Sequence, residues 1–171
     1  MNNINWKKYN YQSSYYFQIP FQKVLDLYNE YGKPSLLNNR MAIWDKNQLK
    51  GLYERIDIID SPVYNYFPYP HIGFMYVYYK YTIPLNKLCQ ILSLSGDIKY
   101  DTLEKIIIIR TMSLGYCNSL LVLIIRFCSG NISWHEIKSK FMIKQYLSIS
   151  QLTNIKTINS NILYLYKNTL H

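Results

Sequence analysis

The stretch HIGFMYVYYKYTI, residues 71–83, decides the fold. It is dense in Tyr, Phe, Val and Ile, the residue types that are enriched in β-strands. Both alternating sets of side chains along it are apolar or aromatic. A strand with two such faces is typical of the interior of a sheet. We therefore expect 71–83 to be a central strand of a sheet that has one face packed against helices.

The residues before this strand carry signals for several further elements. A helix is predicted between Pro20, which suits the first turn of a helix, and Gly32, which suits the position directly after its end. Asp45 followed by Gln48 resembles a capping box, which predicts a second helix that runs through Ile56. Strands are expected at 41–44, 56–59 and 63–67, with a turn at 68–70.

The chain after residue 83 is predicted to be mostly helical. The longest helix, 103–128, is predicted from a capping box at Asp101 and Glu104 and would be about 40 Å long. Ser133 and Glu136 form another capping box. Helices are expected at 84–96, 103–128, 133–146 and 152–165, with a last strand at 97–100.

These elements predict an α+β fold, in which a small N-terminal sheet with flanking helices is followed by a helical C-terminal half. The chain of 171 residues is long enough for a real core. We divide it into a basic, Tyr-rich arm at 1–19, a small α+β domain at 20–100, and a helical region at 101–171 that packs on that domain. The arm contains Lys7 and Lys8, and we expect it to be extended until a partner orders it.

The composition reflects a biased genome. Ile, Asn, Tyr and Lys make up roughly two-fifths of the chain, and Ala occurs once, at Ala42. Such A/T-rich codon usage is typical of organelles, some viruses, parasites and endosymbionts, and we favour a mitochondrial origin. The net charge of +9 predicts a polyanionic partner. Because A/T-rich codons also favour Lys, the charge is weaker evidence of function than usual.

The run from Ile72 to Tyr79 resembles a known nucleic-acid-binding pattern. The predicted element order over 41–100 is strand, helix, strand, strand, helix, strand. The run has a glycine at 73, aromatic residues at 74, 76 and 79, and an aliphatic residue at 77. The order and the run resemble the RNA-recognition motif, whose central strands stack bases on aromatic rings. Two residues of the run differ from that family's pattern, since Ile72 replaces its basic residue and Met75 its small one. Asp45 also puts a carboxylate at a position of the family's first strand that should be buried.

The resemblance implies an RNA-binding surface. Side chains alternate along a strand, so those at 74, 76 and 78 share one face. Phe74 and Tyr76 would be the stacking platform and Lys80 would reach a phosphate. The alternative is an ordinary Tyr-rich core strand, because Tyr supplies 19 of the 171 residues. The complete set of predicted RNA-binding residues is Phe74, Tyr76, Tyr78, Lys80, Lys7 and Lys8.

The apolar segment 105–128 permits two interpretations. A membrane span needs roughly 20 apolar residues, but only about fifteen separate Arg110 from Arg126, with Asn118 among them. A central helix of the protein core is the simpler prediction. A membrane span through 105–128 remains the alternative, with both arginines reaching the bilayer surfaces.

Sequence motifs for catalysis are not found. There is no Gly-rich phosphate loop or nucleophile elbow, and no metal-ligand spacing or cofactor motif. Ser139 stands where a metalloprotease helix that began at His135 would need its second ligand. The closest carboxylate pair is Asp57 and Asp60. Cysteines at 89, 117 and 128 are expected to be reduced thiols, and an enzyme without a known motif stays an alternative.

We therefore expect a non-catalytic structural subunit of a large organellar assembly that binds RNA, of the mitochondrial-ribosome type. Its partners would be RNA and other protein subunits, with no small-molecule substrate. The apolar run and the mean hydropathy of −0.14 favour one alternative, a membrane-associated accessory subunit of a respiratory or ATP-synthase complex. A viral structural or host-interaction protein is another alternative, because the same codon bias permits it.

Overall fold

A computed structural model describes residues 15–38, 40–65 and 71–142. In this part of the chain an antiparallel sheet is combined with helices, which confirms the α+β class. The elements are α1 (Tyr15–Tyr31), β1 (Leu36–Leu37), β2 (Met41–Asp45), β3 (Tyr53–Asn65), β4 (His71–Lys80), α2 (Leu85–Leu92), β5 (Ile98–Asp101), β6 (Ile106–Thr111), α3 (Leu114–Cys128) and α4 (Trp134–Met142).

The strand order is β1-β2-β3-β4-β6-β5, so β4 lies inside the sheet, as predicted. Its neighbours are β3 and β6, both antiparallel to it. In this register Tyr76 lies opposite Asp57 on one side and opposite Arg110 on the other. The sheet continues past the predicted domain boundary at residue 100, because β6 pairs with β4.

The first face of the sheet packs against α1 and α3. The Trp44 indole N–H donates a hydrogen bond of 2.9 Å to the carbonyl oxygen of Gly32, directly after α1. The Tyr79 hydroxyl donates one of 2.8 Å to the Asn118 side-chain oxygen in α3. The side chains on this face are almost fully buried, and they include Ala42, Trp44, Tyr53, Ile56, Ile58, Met75, Val77, Tyr79, Ile107 and Ile109.

The predicted helix over 103–128 is wrong in its first part. Ile106 to Thr111 form β6, and the helix begins only at Leu114. The Asp101 side-chain oxygen accepts the backbone N–H groups of Leu103 and Glu104 at 2.9 and 3.0 Å, but this cap closes the turn between β5 and β6. The β-branched run after that turn pairs in register with the central strand, which a helix could not do.

The predicted helix after Asp45 is also wrong. The Asp45 backbone N–H donates to the Gln48 side chain at 3.2 Å and the Gln48 N–H donates to the Asp45 carbonyl at 2.9 Å, so the two residues close a turn. Tyr53 then starts β3, where Ile56 lies opposite Trp44. The strands predicted at 56–59 and 63–67 belong to this one strand, with a register shift between 58 and 63.

Other boundaries agree more closely with the sequence signals. α1 begins at Tyr15, so residues 15–19 of the predicted extended arm are helical, but it ends before Gly32, whose φ of 81° needs a glycine. The α4 capping box is formed, since Ser133 N–H donates to Glu136 at 2.7 Å and Glu136 N–H donates to the Ser133 hydroxyl at 3.2 Å. The arm at 1–14, the turn at 68–70 and the helix at 152–165 lie outside the described residues.

None of the helices in the described ranges is long and apolar enough to cross a membrane. The segment 105–128 supplies strand β6 and the 15-residue helix α3, whose buried side chains face the protein core. In the described ranges this segment therefore forms a strand and a separate helix, and not the single long helix that the sequence predicts.

Candidate nucleic-acid interface on the second sheet face

The second face of the sheet carries tyrosines and arginines. Alternation along β3, β4 and β6 places Arg55, Asp57, Tyr76, Tyr78 and Arg110 on the side opposite the first face. Asp97, in the turn before β5, joins them through Arg110. We call these six residues the tyrosine–arginine cluster.

Arg55, Asp57 and Tyr78 form one half of the cluster. The Arg55 Nε donates to Asp57 Oδ1 at 2.6 Å, and the Tyr78 hydroxyl donates to Asp57 Oδ2 at 3.1 Å. The Arg55 guanidinium lies 5.5 Å from the centre of the Tyr78 ring, within the range of a cation–π contact. Asp57 is buried, whereas the Arg55 side chain is 43% exposed. The buried carboxylate therefore fixes a solvent-accessible guanidinium over an aromatic ring.

The electrostatics of this half favour a charged arginine and a neutral tyrosine. The hydrogen bond to Asp57 raises the pKa of Arg55 above its ordinary value, despite the opposing effect of burial. Burial, and then the negative charge of Asp57, raise the pKa of Tyr78 to about 12. At neutral pH this half consequently offers a cation and a hydroxyl held by one carboxylate.

Arg110, Asp97 and Tyr76 form the other half. Asp97 Oδ1 accepts hydrogen bonds from Arg110 Nε at 2.7 Å and from Nη2 at 2.6 Å, and Asp97 Oδ2 accepts one from the Ser95 hydroxyl at 3.2 Å. Burial acts to lower the pKa of Arg110, but hydrogen bonds with Asp97 and Tyr76 outweigh it and raise the pKa. The Arg110 side chain keeps 14% of its surface exposed beside the Tyr76 ring.

Gly73 makes room for the Arg110 side chain. A Cβ atom at position 73 would lie 2.8 Å from Arg110 Cγ and 3.2 Å from Cδ, closer than carbon atoms pack. The φ angle of Gly73 is not positive, so the glycine is needed for space rather than for its backbone conformation. The glycine that matches the RNA-recognition pattern therefore has a local structural role.

The structure separates the predicted RNA-binding residues. Tyr76 and Tyr78 are half-buried and lie in the cluster. Phe74 is only 2% exposed, so its ring does not lie on the accessible surface of the sheet. Lys80 is exposed at the end of β4, where its Nζ donates to the Glu104 carbonyl at 2.6 Å. Lys7 and Lys8 lie outside the described residues.

Sequence reasoning missed the two arginines. Arg55 lies in a segment that was predicted to be helical, and Arg110 was assigned to a long helix. For Arg55, the sequence signal is the period-two alternation of Arg55, Asp57 and Ile59, which is typical of a strand. No local signal connects Arg110 to Tyr76, because the register of β6 against β4 brings them together.

Other candidate chemistry is not assembled into a site. In the described ranges no group of three or more His, Cys, Asp or Glu side chains could hold a metal ion. The side chain of Asp60 lies outside the described residues, so the Asp57–Asp60 pair is not described. A groove of about 160 Å³ between α1 and the start of α3 has Lys23 and Asp26 in its wall, already paired at 3.2 Å. The three cysteines are unpaired.

No family model, curated protein or solved structure matches this sequence.

Proposed function

We propose that this chain binds single-stranded RNA through the tyrosine–arginine cluster, as a non-catalytic subunit of a ribonucleoprotein assembly. The observation that carries the proposal is that Tyr76 and Tyr78 lie on one face of the central strand, each beside a guanidinium held by a buried carboxylate. Aromatic rings and guanidinium planes are the surfaces on which proteins stack unpaired bases.

The spacing of the two tyrosines favours a single strand. Residues two apart in a strand are roughly 6.6 Å apart, about twice the 3.4 Å between stacked bases. The two rings therefore fit two bases that have been drawn apart, not a stacked pair. A double helix would hide the base faces from such a surface.

The charge distribution supports a polyanionic ligand. All ten acidic residues lie between Asp26 and Glu136, so the segments on either side carry none. Residues 1–25 contain three lysines and residues 137–171 contain five, which together account for eight of the nine net positive charges. Such acid-free basic segments suit phosphate contacts, which supply the salt-dependent part of affinity.

The broader setting rests on sequence features. The resemblance of 72–79 to the RNA-recognition motif supports an RNA ligand, and the A/T-rich coding signature supports an organellar assembly of the mitochondrial-ribosome type. The element order over 41–100 does not support the RNA-recognition motif, because no helix lies between β2 and β3.

The test is fluorescence anisotropy of the full-length protein with a labelled ten-nucleotide oligouridine, compared with an RNA duplex, at low and moderate salt. Tyr76→Leu and Tyr78→Leu remove the rings and should each weaken binding by roughly 5- to 150-fold, the equivalent of about 1–3 kcal/mol per stacked base. Tyr76→Phe and Tyr78→Phe keep the rings and should bind nearly as well as the wild type.

Salt dependence provides a second readout. Replacing Lys7 and Lys8 with Gln should lower the salt slope of binding by about 0.7 for each phosphate contact that is lost, without changing the effect of the leucine variants. Affinity that is the same for both leucine variants and the wild type would contradict the proposal.

A further inference from the structure

We infer that the position at Tyr76 selects an unpaired guanine, whereas the position at Tyr78 accepts any base. This inference rests on the proposed function and adds base selectivity to it. The two rings differ in what lies next to them on β6: Arg110 beside Tyr76, and Ile108 beside Tyr78.

Asp97 holds Arg110 by one side of its guanidinium. A guanidinium is a flat fork with five N–H donors. Asp97 Oδ1 accepts from Nε and Nη2, which are donors on one side of that fork. The Nη1 group is on the other side of the guanidinium and does not contact the carboxylate. Nη1 and the second N–H of Nη2 therefore form the outer pair of donors.

Asp97 and Tyr76 hold the guanidinium before any ligand binds, and the surroundings of Asp97 and Gly73 support this arrangement. The Arg110 backbone N–H donates to the Asp97 carbonyl at 2.9 Å, and the Ser95 hydroxyl fixes the other carboxylate oxygen. The absence of a side chain at Gly73 leaves the space that the Arg110 stem occupies. A donor that is fixed in advance loses little side-chain entropy on binding, which sharpens discrimination between ligands.

On the Hoogsteen edge, guanine is the base that matches such a fork. It presents two adjacent acceptors, O6 and N7, to a pair of arginine donors. Adenine presents N7 beside an amino donor, and cytosine presents an amino donor, so each would set a donor against a donor. Uracil offers one carbonyl acceptor on that edge, at O4, and so cannot engage both donors.

The Tyr78 position lacks an equivalent reader. Arg55 lies over the Tyr78 ring, 5.5 Å from its centre, and not beside it on a neighbouring strand of the other side as Arg110 lies beside Tyr76. Ile108 on the neighbouring strand has no hydrogen-bonding side-chain group. Stacking alone tolerates every base, because every base has a π-face.

The experiment measures anisotropy of the full-length wild-type protein with seven-nucleotide oligouridines that carry G, A, C or U at the central position. We expect the guanine oligomer to bind at least fivefold more tightly than the other three, as one two-donor contact predicts. Inosine keeps O6 and N7 and should match guanine. 7-Deazaguanine keeps the ring and O6 but lacks N7, and should lose most of the preference.

Matched arginine variants locate the reader. Arg110→Lys keeps the charge but loses the fork, so the ratio of guanine-oligomer affinity to oligouridine affinity should fall to about one, whatever the change in overall affinity. Gly73→Ala should act in the same direction by displacing Arg110 without any change of charge. Arg55→Lys is the control on the same face, and should weaken all four oligomers equally.

The outcomes separate the two proposals. Binding that depends on Tyr76 and Tyr78 but is equal for all four bases would overturn only the guanine inference. A guanine preference that survives in Arg110→Lys, or that 7-deazaguanine retains, would overturn it as well. Because the base-analogue series uses the wild-type protein, a variant that fails to fold does not remove the test. Binding that ignores both tyrosines would overturn the proposed function itself.

Discussion

Asn118 interrupts α3, the most apolar of the helices in the described part of the chain, and its surroundings explain why. It is buried in α3, and its side-chain oxygen accepts hydrogen bonds from the hydroxyls of Tyr53 at 2.9 Å and Tyr79 at 2.8 Å. Its amide nitrogen lies 2.7 Å from the Tyr53 hydroxyl. One amide therefore connects α3 to two strands, β3 and β4, on the first face of the sheet.

We expect Asn118→Leu to destabilise the fold although it makes α3 more apolar. Each tyrosine hydroxyl left buried without a partner costs about 1–3 kcal/mol. The measurement is the free energy of unfolding from urea titration. In a Tyr53→Phe, Tyr79→Phe background the same substitution removes no partner and should cost much less. An equal loss in both backgrounds would show that the amide does not satisfy these hydroxyls.

At the residue scale the sequence predicted some of the site and could not predict the rest. Alternation along β4 correctly placed Tyr76 and Tyr78 on one face. It also placed Phe74 on that face. Alternation does not show whether other residues cover a ring, and Phe74 is buried. The space that Gly73 provides for Arg110 could not be predicted, because it depends on a strand far along the chain.

At the scale of elements, three capping signals had two kinds of outcome. Ser133 with Glu136 starts a helix, Asp101 closes a hairpin turn, and Asp45 with Gln48 closes another turn. A side-chain oxygen that accepts a backbone N–H group two or three residues away serves helix starts and tight turns equally. The residues after the cap decide between a helix and a turn, and for β6 the deciding factor is its pairing with the central strand. The sequence therefore predicted the fold class and the central strand better than the helix boundaries.

Lys87 joins α2 to the end of α3. Its Nζ donates to the carbonyl oxygens of Phe127 at 2.7 Å and Cys128 at 3.1 Å, and it lies 4.8 Å from the centre of the Phe127 ring. These carbonyls are among the last of the helix, where the negative end of the helix dipole favours a cation. Lys87 therefore stabilises the C-terminus of α3 by charge and by hydrogen bonding.

We expect Lys87→Met to lower the free energy of unfolding by about 1–2 kcal/mol, because the side-chain length is kept while the charge and the donors are lost. Thermal and urea unfolding monitored by circular dichroism measure it. Lys138→Met, at an exposed position of α4, is the matched control and should change stability little. If both variants lost the same stability, the effect would reflect net charge and not the end of α3.

At the scale of the whole molecule, buried tyrosines make the fold sensitive to alkali. Burial raises the pKa values of Tyr53, Tyr79 and Tyr81 above the ordinary value of about 10. A group whose pKa is raised on folding stabilises the folded state fully below its unfolded pKa. That contribution is lost as the pH rises through the folded pKa.

We therefore expect stability to be independent of these tyrosines below about pH 10 and to fall steeply above it. The phenolate absorbance of the buried rings should appear, beyond that of the exposed tyrosines, together with the loss of the circular dichroism signal, because the buried rings ionise only as the protein unfolds. Tyr78, which has a pKa of about 12 and lies on the second face, contributes in the same direction. Full ionisation near pH 10 with an unchanged circular dichroism spectrum would contradict this account.

We propose that RNA contacts the second face of the sheet, and not the first face, which packs against α1 and α3. The most direct measurement is photo-crosslinking of the full-length protein to a 4-thiouridine-substituted oligouridine, with the attached nucleotide located by mass spectrometry of the digested protein. The account predicts attachment within β4 at Tyr76 or Tyr78, and its loss under competition by unlabelled oligouridine. Attachment confined to the helices, such as the lysines of α4, would contradict it.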